Sequence, residues 1–319
     1  MKKILIIDTI HPVFKELLTA HDFTVVDGTA YSKKEIINII HDFSGLVIRS
    51  RFKLDKEILE NASSLDFIAR AGAGMENIDV PYAEEKGIAC INAPEANRVA
   101  VGEHALAMLL SLFNKIVIVD KQVRKGQWSR EENRGIELTG KTVGIIGFGN
   151  MGSAFAEVLR GFNVSILAYD KYLKIDTGNY PNVQQVDLPE IFKSADVLSL
   201  HVPLTAETEY FVDAGFFRQF RKYIYIINTS RGKVINTNDL VAAMKSGKVL
   251  GACLDVIEYE RASFEQLSTD QLPDAWHFLI NCENVVLSPH IAGWTMESHR
   301  KISEVLANKV IQLFTKNNE

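Results

Sequence analysis

Cysteine is scarce in this chain, with 3 among 319 residues. Cys90, Cys253 and Cys282 stand far apart and are odd in number, so neither a disulfide framework nor a CxxC metal site is supported. A reducing, cytoplasmic setting is expected. Long apolar runs are missing too. Ile4-Leu5-Ile6-Ile7 follows two lysines, but Asp8 ends the run too early for an export signal. Residues 105–119 are interrupted by Ser111, Asn114 and Lys115, short of the roughly 18 apolar residues that a spanning helix needs. No membrane segment is expected. Charge of one sign is nowhere concentrated: 35 Lys and Arg against 40 Asp and Glu give −5. This argues against nucleic-acid and membrane partners while permitting a local basic pocket. What is present is ordinary for a globular protein, 47 % hydrophobic and 24 % charged, which excludes collagen-like, coiled-coil and disordered chains. At roughly 150 residues per domain the length suits two domains.

Short runs rich in Val and Ile recur at residues 3–8, 23–26, 45–49 and 65–69, separated by helical patterns. Near-continuous apolar strands of this kind belong to parallel sheets covered on both faces. Ser32-Lys33-Lys34-Glu35, followed by Ile36, Ile37, Ile39 and Ile40, predicts a helix opened by a capping box. A second series lies at 141–146, 164–169, 197–202, 223–227, 250–256 and 285–287. Two such arrays predict an α/β protein with two doubly wound parallel-sheet domains, flavodoxin-like and Rossmann, and a cleft between them. One long helix is expected over 99–121, at the domain junction or a dimer interface, then a polar loop over 125–134.

Gly147-Phe148-Gly149-Asn150-Met151-Gly152 fits GxGxxG, follows an apolar strand and opens a helix expected over 153–160 and closed by Gly161. In that setting the first glycine permits the turn, the second lets the backbone approach a pyrophosphate, and the third lets helix and strand pack closely. The helix N-terminus offers amides to the phosphates. Asp170 ends the next strand, about 20 residues on, where a carboxylate binds ribose hydroxyls and repels a 2′-phosphate, favouring NAD. Lys171 beside it keeps NADP open, and a tight turn with a surface Asp is the bland alternative.

Three further segments each follow or end a strand: Asn228-Thr229-Ser230-Arg231-Gly232, the stretch from Gly251 through Asp255 and Glu258 to Glu260, and Ser288-Pro289-His290-Ile291-Ala292-Gly293-Trp294. Arg231, a glutamate and His290 at the carboxyl edge of one sheet form a coherent set for hydride transfer, in which the protein handles the proton and orients the substrate. The Arg231 fork suits a substrate carboxylate. His290 suits exchange of the hydroxyl proton. Glu260, bonded to the other ring nitrogen, would fix the tautomer and stabilise imidazolium.

With these segments in place, the chain resembles the D-isomer-specific 2-hydroxyacid dehydrogenases and, among them, short-form D-3-phosphoglycerate dehydrogenases. Ile68-Ala69-Arg70-Ala71-Gly72-Ala73-Gly74, Gly140-Lys141-Thr142-Val143-Gly144 and Leu200-His201-Val202-Pro203-Leu204-Thr205 also carry the resemblance, which covers nearly the whole chain. It implies Arg231, Glu260 and His290 as the catalytic set, and only the family register selects Glu260 over Glu258. It implies NAD contacts from Asn150, Met151, Asp170, Val202, Thr229, Ser230, Asp255 and Gly293, beside Gly147, Gly149 and Gly152. No metal is implied.

Arg49 and Arg51 flank Ser50 after one strand, and Arg70 follows another and precedes the Ala73-Gly74 loop. Extra guanidinium groups suit a second anionic group on the substrate, held partly by loop amides; solvated arginines are the alternative. The expected reaction is NAD-dependent oxidation of D-3-phosphoglycerate to 3-phosphohydroxypyruvate, the entry to serine synthesis. A glyoxylate or hydroxypyruvate reductase, another D-2-hydroxyacid dehydrogenase and an NAD-sensing corepressor-like protein are the alternatives. A homodimer is expected. The family often has Pro after the catalytic Glu, whereas Arg261-Ala262-Ser263-Phe264 follows Glu260, and the connection 261–284 reads as a lid, a dimer contact or packed surface. Residues 1–98 and 289–319 are assigned to the substrate domain and 99–288 to the NAD domain, with no appended regulatory domain expected.

Overall fold

A computed structural model describes residues 2–176, 178–260 and 272–315, which form two compact units. Residues 2–97 and 294–315 make the first. Its strands are β1 (Lys3–Ile6), β2 (Thr24–Asp27), β3 (Gly45–Ile48), β4 (Phe67–Arg70) and β5 (Ala89–Asn92), all parallel, in the order β2-β1-β3-β4-β5. Successive residues of a strand point to opposite faces, and here both sets are apolar. Leu5, Leu46, Ile48 and Ile68 pack with Ile36, Ile40 and Ile58. Ile4, Ile6, Val47, Phe67 and Ala69 pack with Phe14, Leu18 and, from the helix Met296–Thr315, Leu306 and Val310. Emptying one such site, as in Phe67→Ala, costs about 3–5 kcal/mol. The capping box forms as expected: Ser32 Oγ accepts from the Glu35 amide while the Glu35 carboxylate accepts from the Ser32 amide.

Residues 98–260 and 272–293 make the second unit. Its strands are β6 (Thr142–Ile146), β7 (Ser165–Tyr169), β8 (Val183–Gln185), β9 (Val197–Leu200), β10 (Ile224–Asn228), β11 (Val249–Leu254) and β12 (Val285–Leu287). They are parallel, in the order β12-β11-β10-β9-β6-β7-β8. The order in which successive strands are added reverses between β6 and β9, the switch point at which doubly wound sheets bind ligands beyond their carboxyl edge.

Three expectations are corrected, and two strands are added. The helix expected over 99–121 is two, Arg98–Phe113 and Ile116–Arg124, bent by 59°. Lys115 between them is left-handed, with φ +53, a conformation a continuing helix cannot contain. The cofactor-side helix is Asn150–Val158 with a further turn over Leu159–Phe162; left-handed Asn163, rather than Gly161, closes it. Residues 289–293, assigned above to the first domain, pack with the second, where the His290 amide donates to the Asp255 carbonyl at 2.7 Å. Strands β5 and β8 were absent from the sequence reading. Of the connection after Glu260, the helix Asp274–Asn281 buries Ala275 and Leu279; Arg261-Ala262-Ser263-Phe264 lies outside the described residues. Among the described residues no single helix is long and apolar enough to cross a membrane.

Candidate active site

At the end of β6 the three glycines meet three different demands. Gly147 has φ +86, and a Cβ there would lie 2.4 Å from the His201 carbonyl oxygen. A Cβ on Gly152 would lie 2.0 Å from the Gly147 carbonyl oxygen, so the helix packs directly on the turn. A Cβ on Gly149 would meet nothing within 4 Å. Space therefore opens at the glycine that heads the helix Asn150–Val158, and no side chain caps that helix. This fits a pyrophosphate received by backbone amides. Asn150 is exposed, and Met151, Val202 and Gly293 are half-buried. Thr229 Oγ1 is buried with no hydrogen-bond partner among the described residues, a polar atom suited to a ligand.

Asp170, at the end of β7, is tied to the turn. Its Oδ2 accepts from the Phe148 amide at 2.7 Å and its Oδ1 from the amides of Tyr172 and Leu173, each at 2.9 Å. Lys171 points to Glu207, which also accepts from Tyr172 Oη at 2.7 Å. The lysine that kept a 2′-phosphate open thus already has an anionic partner.

The catalytic candidates follow three neighbouring strands. After β10, Asn228 shapes the turn, its Oδ1 accepting from the Ser230 amide and hydroxyl and its Nδ2 donating to the Arg231 carbonyl at 3.0 Å. Arg231 Nη1 donates to the Ser230 carbonyl at 2.7 Å. Gly232 lies flat on the loop after β11: a Cβ there would fall 2.0 Å from the Ile257 carbonyl carbon. In that loop the Ile257 amide donates to Glu260 Oε1 at 2.5 Å, and Glu260 Oε2 lies 2.7 Å from His290 Nδ1. Glu258, the competing glutamate, instead accepts from the Thr237 amide at the start of the helix Thr237–Lys245. Both members of the Glu260–His290 pair are mostly buried, which strengthens their attraction.

Asp255, at the end of β11, is 1 % exposed. Its carboxylate accepts from Ser288 Oγ at 2.6 Å and from the amides of Ile291 and Ala292, each at 2.9 Å. Burial raises its pKa, but hydrogen bonds from His104, Ser288 and the two amides outweigh burial and hold the carboxyl below its ordinary value.

On the first sheet's carboxyl edge, Asp8 follows β1. It accepts from the amides of Thr9, Arg49, Ser50 and Arg51 at 2.7–3.1 Å. Arg49 lies over the Trp294 ring, 4.4 Å from its centroid. Arg70 is 9 % exposed and folds over Gly72, whose added Cβ would fall 1.6 Å from Arg70 Nη1. Asn92 Nδ2 donates to the Ala73 carbonyl at 2.6 Å, fixing the loop before Gly74. Arg51 departs from the expectation of a phosphate ligand. Its guanidinium donates to the carbonyls of Ile7 (3.0 Å), Gly28 (3.4 Å) and Tyr31 (2.7 Å). Asp8, Asn228 and His104 went unrecognised in the sequence reading. For Asp8 the signal was there: a carboxylate directly after an apolar strand, like Asp170 and Asp255.

Residues 106–292 match the family of the D-isomer specific 2-hydroxyacid dehydrogenase NAD-binding domain. The chain is 33 % identical to a D-3-phosphoglycerate dehydrogenase of Archaeoglobus fulgidus over 98 % of its own length, and spans 57 % of that relative's. It is 36 % identical to a hydroxypyruvate reductase of Thermotoga maritima, covering 93 % of each. Among solved structures it resembles a D-lactate dehydrogenase from Aquifex aeolicus complexed with NAD and lactic acid. That likeness has a TM-score of 0.82 and 28 % identity, over 98 % of this chain and 96 % of that one. The chain therefore belongs to the D-isomer-specific 2-hydroxyacid dehydrogenase family, and its second unit is that family's NAD-binding domain.

Proposed function

We propose that the chain oxidises a D-2-hydroxy acid with NAD, and that its substrate is D-3-phosphoglycerate. The observation that supports the chemistry best is the 2.7 Å contact between His290 Nδ1 and Glu260, on the same sheet edge as Arg231 and the glycine turn. A carboxylate at Nδ1 keeps the proton there and leaves Nε2 as the base. Arg231 pairs with the substrate carboxylate and orients C2. His290 Nε2 takes the hydroxyl proton as the C–H bond breaks, and the imidazolium so formed is held by Glu260. In reduction His290 returns the proton. The Asn150–Val158 helix amides would hold the pyrophosphate of NAD, Asp170 its ribose, and Thr229 would offer a hydroxyl; bound there, the cofactor would supply the hydride acceptor for C2.

For the phosphate, the proposed ligands are Arg49 and Arg70, at the carboxyl ends of β3 and β4, with the backbone at Ala73 and Gly74. A second reading, reduction of hydroxypyruvate or glyoxylate, is favoured by Arg51, whose guanidinium is taken up by three carbonyls and unavailable to a second anion. We also propose a homodimer, in which the exposed Ile116, Val117 and Val123 of the second bent helix are covered.

Steady-state assays with a panel of 2-hydroxy and 2-oxo acids and both NAD and NADP test the assignment. D-3-phosphoglycerate with NAD should give the highest kcat/KM, and His290→Asn should lower turnover by about 10²–10⁴ while NAD affinity is kept. Good turnover of hydroxypyruvate or glyoxylate without the phosphorylated acid would select the second reading. Unchanged turnover in His290→Asn would remove His290 as the base.

A further inference from the structure

His290 is held in an unfavourable backbone conformation. Its φ is +55, a left-handed conformation that strains a residue with a Cβ. Asp255 restrains it twice: its carbonyl accepts the His290 amide, and its carboxylate accepts the next two amides, Ile291 and Ala292. Behind Asp255 stands a residue from the far end of the unit's sequence. His104, on the helix Arg98–Phe113, places Nε2 3.0 Å from Ser288 Oγ and 3.4 Å from Asp255 Oδ1. The direction of the chain follows from chemistry. A carboxylate only accepts, so Ser288 donates its single proton to Asp255, and His104 must donate from Nε2–H to Ser288.

We propose that His104 is a positioning residue for His290, acting through Ser288 and Asp255 to lock the 288–292 turn that presents the catalytic imidazole. The groups that face it are Ser288 and Asp255, with Met108 Sδ 3.7 Å from Ser288 Oγ. Each donor in the series polarises the next, so the bond from His104 tightens the grip of Ser288 on the buried carboxylate. Without that donor, Asp255 keeps its burial but loses a partner, and the strained turn is freer to relax. Misplacing a proton acceptor by about 1 Å costs up to about 10² in rate, so a partial loosening is expected to cost about tenfold.

Two variants separate the hydrogen bond from the shape. His104→Phe keeps a ring and removes the donor; His104→Gln keeps an N–H donor at the same distance along the side chain. Turnover by the full chain should fall about tenfold in His104→Phe, with KM for NAD within about twofold, and recover to within about threefold of wild type in His104→Gln. The kinetic arm rests on the dehydrogenase reading, so imidazole ¹⁵N NMR on the same proteins, with the His290 signal assigned by its loss in His290→Asn, gives a second arm that needs no turnover. The His290 ring ¹⁵N chemical shifts should move in His104→Phe and stay in place in His104→Gln, because the approach of Nδ1 to Glu260 is what the turn controls. Wild-type turnover and ring shifts in His104→Phe, or equal damage in both variants, would overturn the proposal. A wild-type chain inactive on every 2-hydroxy and 2-oxo acid would sink the dehydrogenase reading alone, since the ring shifts would still decide this one.

Discussion

The carboxyl edges of the two sheets are each organised by one buried aspartate, Asp8 after β1 and Asp255 after β11, and they differ in what it holds. Asp8 gathers four consecutive or neighbouring amides and so fixes a turn that carries two arginines. Asp255 gathers two amides, a hydroxyl and an imidazole, and so fixes a left-handed histidine. Asp8 takes up the amides of its turn, while the Arg51 guanidinium carried there is taken up by the carbonyls of Ile7, Gly28 and Tyr31. Asp255 fixes the turn that sets the His290 ring against Glu260. Under the proposed function the same device bears on binding in one unit and on proton transfer in the other.

Removing each aspartate tests this division most severely. Either substitution to Ala should cost about 2–4 kcal/mol in stability, since buried amides lose a charged acceptor. The kinetics should part: Asp255→Ala should lower kcat by about 10² with KM little changed, and Asp8→Ala should raise KM for an anionic substrate with kcat within a few-fold. Equal losses of kcat in both variants would erase the contrast.

Acid is the next probe, because each unit hides a histidine that resists protonation. His201, beyond β9, lies against Phe155 with its ring Nδ1 buried, and burial holds its pKa down to about 3 from 6.5. His299, beside His11 and Trp294 in the first unit, is lowered by burial and then by the charges of His11 and Arg49. The folded chain refuses a proton that the unfolded chain accepts below about pH 6.5, so stability is full above that pH and falls as pH drops toward the folded value. By pH 5 the loss through His201 is about 2 kcal/mol. Denaturant titrations from pH 7 to pH 5 should show a flatter pH dependence in His201→Phe than in wild type, and a smaller flattening in His299→Phe. The reverse ranking would mean that the first unit is the more acid-sensitive.

The contrast also shows how far the sequence could be read. Strands covered on both faces, the capping box at Ser32 and the glycine turn were legible because each is a local pattern with one physical cause. Strands β5 and β8 were missed: the one is half-buried throughout and the other is three residues long with two glutamines, so neither carries a strong apolar signal. The break at Lys115 was hidden because nothing in a lysine announces a left-handed residue. At the site, residue types and strand ends were legible, but partners were not. Glu258 and Glu260 are two residues apart, and only the fold shows which one meets His290. Arg51 read as a free cation because backbone carbonyls are invisible in a sequence, and His104 was invisible because its partners lie over 150 residues away.

The arginines give the mildest effect and sharpen the comparison on the binding side. Arg51 ties the carbonyls of Ile7, Gly28 and Tyr31, whereas Arg70 is folded over Gly72 at the end of β4. Arg51→Ala should therefore act on the fold, lowering stability by about 1–3 kcal/mol as three carbonyls lose a charged donor, with KM for D-3-phosphoglycerate and D-glycerate changed in the same proportion. Arg70→Ala should act on selectivity, raising KM for the phosphorylated acid about tenfold more than for D-glycerate, as expected when one guanidinium–phosphate pair is lost. Measuring both acids in both variants decides between the arginines. Equal shifts in Arg70→Ala would leave the first edge without a phosphate ligand at that position, and a selective shift in Arg51→Ala would mean that its carbonyl bonds yield to the substrate.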